Sequence, residues 1–183
     1  MATRKPRTDL TAEQVRKALD YDPETGVFTW KHREDVPPKT NTKFAGKTAG
    51  TACRIRSSRR NHWYRYIKIL GRRYAAHRLA WLYVTGEWPK EQVDHVNGNG
   101  LDNRIANLRP ATQSQNSSNS RLSHRNKTGF KGVRFRARTG RFEAYIGTGG
   151  KARHLGTFPT AEEAHEAYLK AAREQWGDFA RSE

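Results

Sequence analysis

The chain has 183 residues, enough for one ordinary domain or two small ones. Its 35 Lys and Arg stand against 18 Asp and Glu, a net charge of +17, so a polyanionic partner is expected, nucleic acid first and an anionic membrane surface second. No apolar run approaches the ~20 residues that span a bilayer, and the single cysteine, Cys53, excludes an internal disulfide and a multi-thiolate zinc site.

Met1 to Leu10 is polar and basic, without the apolar segment of a secretory signal, and a cytoplasmic setting is expected. Thr11-Ala-Glu-Gln14 has capping-box spacing for a short helix. Asp22-Pro-Glu-Thr-Gly26 reads as a turn and Val27–Trp30 as a strand, whereas 35–50, rich in Pro, Gly, Thr and Lys, reads as a loop. Tyr64–Ile69 alternates weakly, Gly71 turns, and Tyr74 to Ala76 begins a return strand. His77–Tyr83 is a helix that stops before Gly86. From Cys53 to Arg78 there are nine Lys or Arg and no acid. From Arg121 to Phe158 there are ten, against Glu143 alone. Two separate basic surfaces are therefore expected to hold phosphates.

Between them lies Val93-Asp94-His95-Val96-Asn97-Gly98-Asn99-Gly100, an acid and a histidine at a strand end before a Gly/Asn turn. Thr112 and Gln115 again have capping-box spacing, which puts Asn116 in the first turns of a helix. A strand, a polar loop and a helix folding back over it would bring Asp94, His95 and Asn116 together. Asp94 and the Asn116 amide oxygen suit a hard cation that keeps several waters, and a neutral imidazole is suited to take a proton from water near neutral pH.

The run VDHVNGNGLDNRIANLRPATQSQNSSN resembles the HNH motif of phage- and intron-encoded homing endonucleases, in the subgroup that ends in Asn. His95, Asn107 and Asn116 fall at its three positions, with Asp94 directly before the first. The resemblance implies His95 as general base, and Asp94 and Asn116 as ligands of one Mg²⁺ or Mn²⁺ ion. It implies Asn107 as the side chain that braces the loop and the histidine backbone. LTAEQVRKALDYDPETGVFTWKHR and HRLAW resemble the amino-terminal parts of such phage proteins, so the likeness covers roughly residues 8–120. Within HRLAW, His77 is read as a core or capping histidine, with a place beside the site or DNA as the alternative, and Arg78 as a phosphate grip or a helix cap.

Residues 128–158 read as three strands, at 130–136, 141–146 and 154–158, followed by a helix opened by Thr160-Ala-Glu-Glu163. Ala161, Ala164, Ala167, Tyr168, Ala171 and Ala172 fall mostly on one helical face, which lets the helix sit close to a sheet. The other sheet face is then expected to present Arg134, Arg136, Arg138, Arg141 and Arg153. This segment is similar to the plant APETALA/ethylene-response-factor DNA-binding domain, and Arg134, Arg136 and Lys131 match basic positions of that family. Arg138 and His154 stand where tryptophans are common, and Tyr145 and Gly147 replace a glutamate-arginine pair, so the plant sequence preference does not transfer.

The expected fold class is α+β. A ββα-metal (HNH, His-Me finger) nuclease domain over 1–120, with its motif core at 93–119, is followed by a linker at 121–127. A three-stranded antiparallel sheet packed on one helix then fills 128–183. The expected activity is metal-dependent hydrolysis of DNA phosphodiesters to 3′-hydroxyl and 5′-phosphate ends, by a monomer or weak dimer acting on duplex DNA, with no small-molecule substrate. A non-catalytic DNA-binding regulator and an RNA-binding protein, the latter from the interleaving of Arg with Tyr64, Tyr66, Phe135 and Phe142, are the alternatives.

Overall fold

The structure is a computed structural model that describes residues 8–57, 60–120, 122, 126–148 and 150–181. Its contacts divide the chain into two compact units, one ending at Pro110 and the other beginning at Ala111. Four residues of the expected 121–127 linker lie outside the described residues.

The first unit opens with α1 (Ala12–Ala18), whose Thr11/Gln14 capping box closes in both directions. Val15 and Ala18 face inward, and the chain runs straight into a hairpin of β1 (Leu19–Asp22) and β2 (Val27–Trp30). The hairpin turn is built on Asp22, whose carboxylate accepts from the Glu24 and Thr25 amides. The stretch 35–50 is not all loop: α2 (Pro38–Phe44) forms there with proline at its first position. Proline at that position loses nothing, because the amide would have no intrahelical partner. Asn41 secures it by bonding the Arg33 backbone at both its oxygen and its nitrogen.

A three-stranded antiparallel sheet follows, with β3 (Thr51–Ser57), β4 (Arg60–Ile69) and β5 (Arg72–Ala75) in that order. The strand β3 was not read from the sequence; it pairs with β4 from Thr51↔Tyr66 to Ser57↔Arg60. The helix α3 (Ala76–Thr85) then ends at Gly86, in the left-handed conformation that glycine adopts without strain. Its buried Ala76, Leu79, Ala80 and Leu82 meet Val15, Leu19, Phe28, Ile67 and Tyr74 in one core, flanked by Trp30, Trp81 and Trp88. Each fully buried Leu, Ile or Phe contributes about 1.5–3 kcal/mol. The strands β6 (Gln92–His95) and β7 (Leu108–Ala111) form a two-stranded sheet, with a 3-10 turn at Ile105–Asn107 before β7.

In the second unit, α4 (Gln113–Ser118) opens with the Thr112/Gln115 capping box. The antiparallel sheet of β8 (Val133–Arg136), β9 (Arg141–Thr148) and β10 (Lys151–Phe158) has the order β10-β9-β8. It packs on α5 (Ala161–Trp176) through Val133, Ala144 and Ile146 from the sheet and Ala161, Ala164, Tyr168, Ala171 and Ala172 from the helix. Small alanines allow the close approach. At Gly132, φ is +77° and an added Cβ would lie 2.2 Å from the Tyr168 ring, so glycine is required there.

Candidate active site and nucleic-acid interface

The strand β6 ends on Asp94 and His95, which are 4% and 5% exposed. Burying a carboxylate beside an imidazole is unfavourable unless each is paired. Asp94 is paired with Arg109 on β7, whose Nε and terminal nitrogen both reach Oδ2 at 3.0 Å. For His95, Nε2 lies 3.5 Å from Oδ1 of Asn103, itself 1% exposed. Burial pushes the His95 imidazole below its ordinary value, and the Asn103 contact and the nearby Asp94 offset part of this. A neutral ring is therefore the resting state at neutral pH, the form that can accept a proton.

The loop after His95 is tied by its own polar side chains. The Gly98 amide donates to the His95 carbonyl at 2.7 Å. Asn97 and Asn99 each accept from the amide two residues on, at 2.9 and 3.1 Å. These are turns that Asn favours because its short amide mimics a backbone carbonyl. Asp102 accepts from Arg104 at 2.8 and 2.7 Å and from Asn97 at 2.7 Å. The Arg104 contact is the main cause that holds its carboxyl down at about 2. Asn107 sits across this loop. Its oxygen accepts from the Asn97 amide at 3.0 Å, its nitrogen donates to the Asp102 carbonyl at 2.8 Å, and its carbonyl accepts from Val96 at 2.9 Å. The residue thus links both ends of the loop to the backbone that follows His95.

Three further elements of the first unit close on this loop. Gly100 lies so near β4 that a Cβ would be 2.4 Å from the Trp63 carbonyl and 2.7 Å from the Tyr64 ring. The β1–β2 turn presses on the far side. There the Tyr21 hydroxyl donates to the Asn103 carbonyl at 2.7 Å, and a Cβ on Gly26 would meet the Arg104 nitrogen at 2.4 Å. The helix α3 contributes His77, whose ring meets that of His95 edge-on at 5.0 Å and that of Tyr64 at 5.6 Å. Nδ1 of His77 is buried and has no hydrogen-bond partner among the described residues. Desolvation first, then repulsion against the charged form of His95 and against the Arg78 guanidinium, push the His77 imidazole down to about 3. Arg78 turns away from the loop: it donates to the Glu91 and Pro89 carbonyls at 3.2 and 3.4 Å and lies over the Trp88 ring.

Asp94, His95 and Asn107 thus share one small region of the first unit, while Asn116 lies on α4 in the second. Among the described residues no group of three or more His, Cys, Asp or Glu is placed to hold a metal ion. The Asp94 carboxylate and the Asn116 amide are, each by itself, oxygen donors of the kind a hard divalent ion takes.

In the second unit the sheet face opposite α5 is basic and internally paired. The register places Arg134 beside Glu143, Arg136 beside Arg141, and Tyr145 beside His154. Arg136 donates to Glu143 at 2.8 Å, Tyr145 donates to the same carboxylate at 2.8 Å, and the Arg134 guanidinium lies 5.2 Å from the Tyr145 ring centroid. The Arg136 contact holds the Glu143 carboxyl below its ordinary range. Arg138 is exposed in the β8–β9 turn. Arg153 pairs with Ile146, which is buried against α5, so it occupies the opposite side of the sheet from Arg134 and Arg141. Lys131 donates its ammonium to the carbonyls of Ser118, Ser120 and Arg181.

Residues 74–118 match the HNH endonuclease family, and residues 128–178 match the AP2 domain family. The chain carries an HNH endonuclease domain and an AP2 domain in tandem. Over 106 residues it is 37% identical to an uncharacterized HNH endonuclease of Acanthamoeba polyphaga mimivirus, covering 57% of this chain and 54% of that protein. The chain thus spans about half the length of this curated relative. No solved structure matches it.

The HNH match begins on β5, so it takes in His77 and Arg78 on α3 as well as the β6–β7 sheet and α4. Arg109, Asn103 and Tyr64 were not singled out as site residues from the sequence. Arg109 lies one residue past the start of β7 and Asn103 within a polar loop, and neither residue's place in the sequence announces a buried partner. In the AP2 domain the three strands and α5 occupy the matched stretch, and Lys131 lies just before β8.

Proposed function

We propose that this chain is a metal-dependent HNH DNA endonuclease whose AP2 domain binds duplex DNA. The observation that carries the reading is the buried Asp94–His95 pair at the end of β6, inside the HNH match, with its loop braced by Asn107. Asp94 and Asn116 are the residues that would hold a divalent ion, Mg²⁺ or Mn²⁺, one per site. When bound, such an ion offsets charge on the scissile phosphate and on the departing oxygen.

His95 is the general base. Its neutral imidazole takes a proton from the attacking water while the water oxygen bonds to phosphorus. The bond from phosphorus to the 3′ oxygen breaks, and that oxygen leaves protonated from solvent, giving 3′-hydroxyl and 5′-phosphate ends. Asn107 holds the backbone after His95 so that the ring keeps its aim, and Asn103 orients the ring through Nε2. Positioning of this kind matters because misplacement by about 1 Å costs on the order of 100-fold in rate.

Duplex DNA is the partner. Arg134, Arg136, Arg138 and Arg141 offer guanidinium groups from the sheet face and its turn, with Arg78 as a further basic position; Arg153 lies on the other side of the sheet, and Lys131 is held by the carbonyls of Ser118, Ser120 and Arg181. Such contacts give salt-sensitive affinity and act through the effective concentration of a tethered site. The protein works as a monomer or weak dimer, in the cytoplasm of a host cell if virus- or phage-encoded. Among the described residues no helix is long and apolar enough to cross a membrane.

Supercoiled plasmid and DNA from the native locus, incubated with wild-type protein or His95→Ala in Mg²⁺, Mn²⁺ or EDTA, test the reading. Metal-dependent nicking or linearisation absent from the variant is the expected result, and the ratio of open-circle to linear product separates one-strand from two-strand cutting. One observation favours a second reading, a non-catalytic DNA-binding regulator: the Asp94 carboxylate is already ion-paired with Arg109. Intact DNA on every substrate, with tight salt-sensitive binding, decides for that second reading.

A further inference from the structure

The helix α4 has six residues, too few for stability on its own, yet it carries Asn116. Its capping box satisfies only the amino-terminal end. Further anchors come from the AP2 domain. The Trp176 indole nitrogen, at the end of α5, donates to the Ser114 hydroxyl at 3.1 Å. The Ser118 hydroxyl donates to the Phe179 carbonyl at 3.0 Å. At the carboxy-terminal end of α4, the Lys131 ammonium meets the carbonyls of Ser118, of Ser120 at 2.8 Å, and of Arg181 at 3.2 Å.

An ammonium has three protons, and three carbonyls receive them. Two of those carbonyls end α4 and its following turn, where the helix dipole is negative and a cation is favoured. The third belongs to the segment after α5. One half-buried cation therefore ties the end of α4 to the body of the AP2 domain.

We infer that Lys131 and Trp176 are positioning residues that fix α4 to the AP2 domain, so that the DNA-binding module delivers the last residue of the HNH motif. The role of Asn116 in that statement rests on the proposed nuclease reading; the fixing of α4 does not. Two consequences follow. Removing the AP2 domain unfastens α4, and Lys131 acts on cleavage through α4 rather than through a phosphate.

Hydrogen exchange on the full-length protein tests this, comparing wild type with Lys131→Met, Lys131→Arg, Trp176→Phe and Arg138→Met. Lys131→Met is expected to speed exchange at the Asn116 and Asn119 amides by at least about tenfold while α5 amides keep their rates. Lys131→Arg recovers part of the protection, Trp176→Phe reproduces part of the loss, and Arg138→Met leaves α4 unchanged. In parallel, Lys131→Met raises the Mn²⁺ concentration for half-maximal cleavage several-fold, with the Kd for duplex DNA in EDTA changed by less than about twofold.

Unchanged α4 exchange in both Lys131→Met and Trp176→Phe overturns the inference. So does weakened DNA binding by Lys131→Met with α4 protection intact, which makes Lys131 a phosphate contact. Should Lys131→Met unfold the whole AP2 domain, α5 amides lose protection too, and Trp176→Phe then decides. Should wild type cut no DNA, the nuclease reading fails while the exchange result still stands for or against the brace.

Discussion

His77 and His95 meet edge to face, with ring centroids 5.0 Å apart and planes at 77°. Two imidazoles this close in a partly dry region cannot both be cationic, and desolvation acts on each in the same direction. His77 is held down to about 3 in the folded protein, against 6.5 for the unperturbed ring. Between those two values the unfolded chain binds more protons. Its contribution to stability is therefore complete above pH 6.5 and is lost as the pH falls toward about 3. Urea melts from pH 7.5 to 4.5 should show stability falling by up to about 1 kcal/mol per pH unit in this window. In His77→Phe that component should vanish; an unchanged slope counts against a buried neutral His77.

The Asp94–Arg109 pair is buried, with side-chain exposures of 5% and 17%. Arg109→Gln removes the cation that pairs with a buried carboxylate, which costs on the order of 3 kcal/mol. A divalent ion at Asp94 would supply the missing positive charge. Thermal melts of Arg109→Gln should therefore show a lowered Tm in EDTA that Mn²⁺ partly restores. A Tm equally low with and without Mn²⁺ speaks against an ion at Asp94.

The amino-terminal hairpin supports the site loop at a sequence distance of some eighty residues. Tyr21→Phe removes the hydroxyl that donates to the Asn103 carbonyl and should cost about 1 kcal/mol. Gly26→Ala is harsher: φ is +70°, and the new Cβ would lie 2.4 and 2.5 Å from backbone atoms of Arg104 and Asn103. Its cost should exceed about 2 kcal/mol, measured by urea melts. Cleavage assays should show the loss mainly in kcat.

On the AP2 sheet Glu143 occupies the centre of an otherwise basic face and engages Arg136 and Tyr145. Glu143→Gln releases Arg136 and removes a charge that repels phosphate. Duplex affinity should rise, and the slope of log K against log salt should steepen by about 0.9 for a newly engaged phosphate. Arg141→Gln should make that slope shallower by about the same amount. Arg153→Gln, on the other side of the sheet, should change it less. Fluorescence anisotropy across a salt series reads all three, and a larger effect from Arg153 than from Arg141 would reverse the orientation assigned to the sheet.

Local chemistry determined what the sequence alone could supply. Capping boxes at Thr11, Thr112 and Thr160, the Gly86 helix stop, and the alanine spacing from Ala161 to Ala172 act over a few residues, so α1, α3, α4 and α5 were legible. Asp94 and His95 were singled out by their place before a turn of Asn and Gly, and Asn107 only through the resemblance to the HNH motif. Tertiary structure decided the rest. The strand β3 exists through its pairing with β4, and α2 is secured by Asn41 on the Arg33 backbone. Arg109 pairs with Asp94 across fifteen residues, and Tyr21 reaches Asn103 across eighty-two. Among 35 cationic residues, spacing does not say which one meets a buried carboxylate and which one, like Lys131, meets three carbonyls. Those partners are set by which surfaces the core brings together, and burial then makes leaving them unpaired too costly.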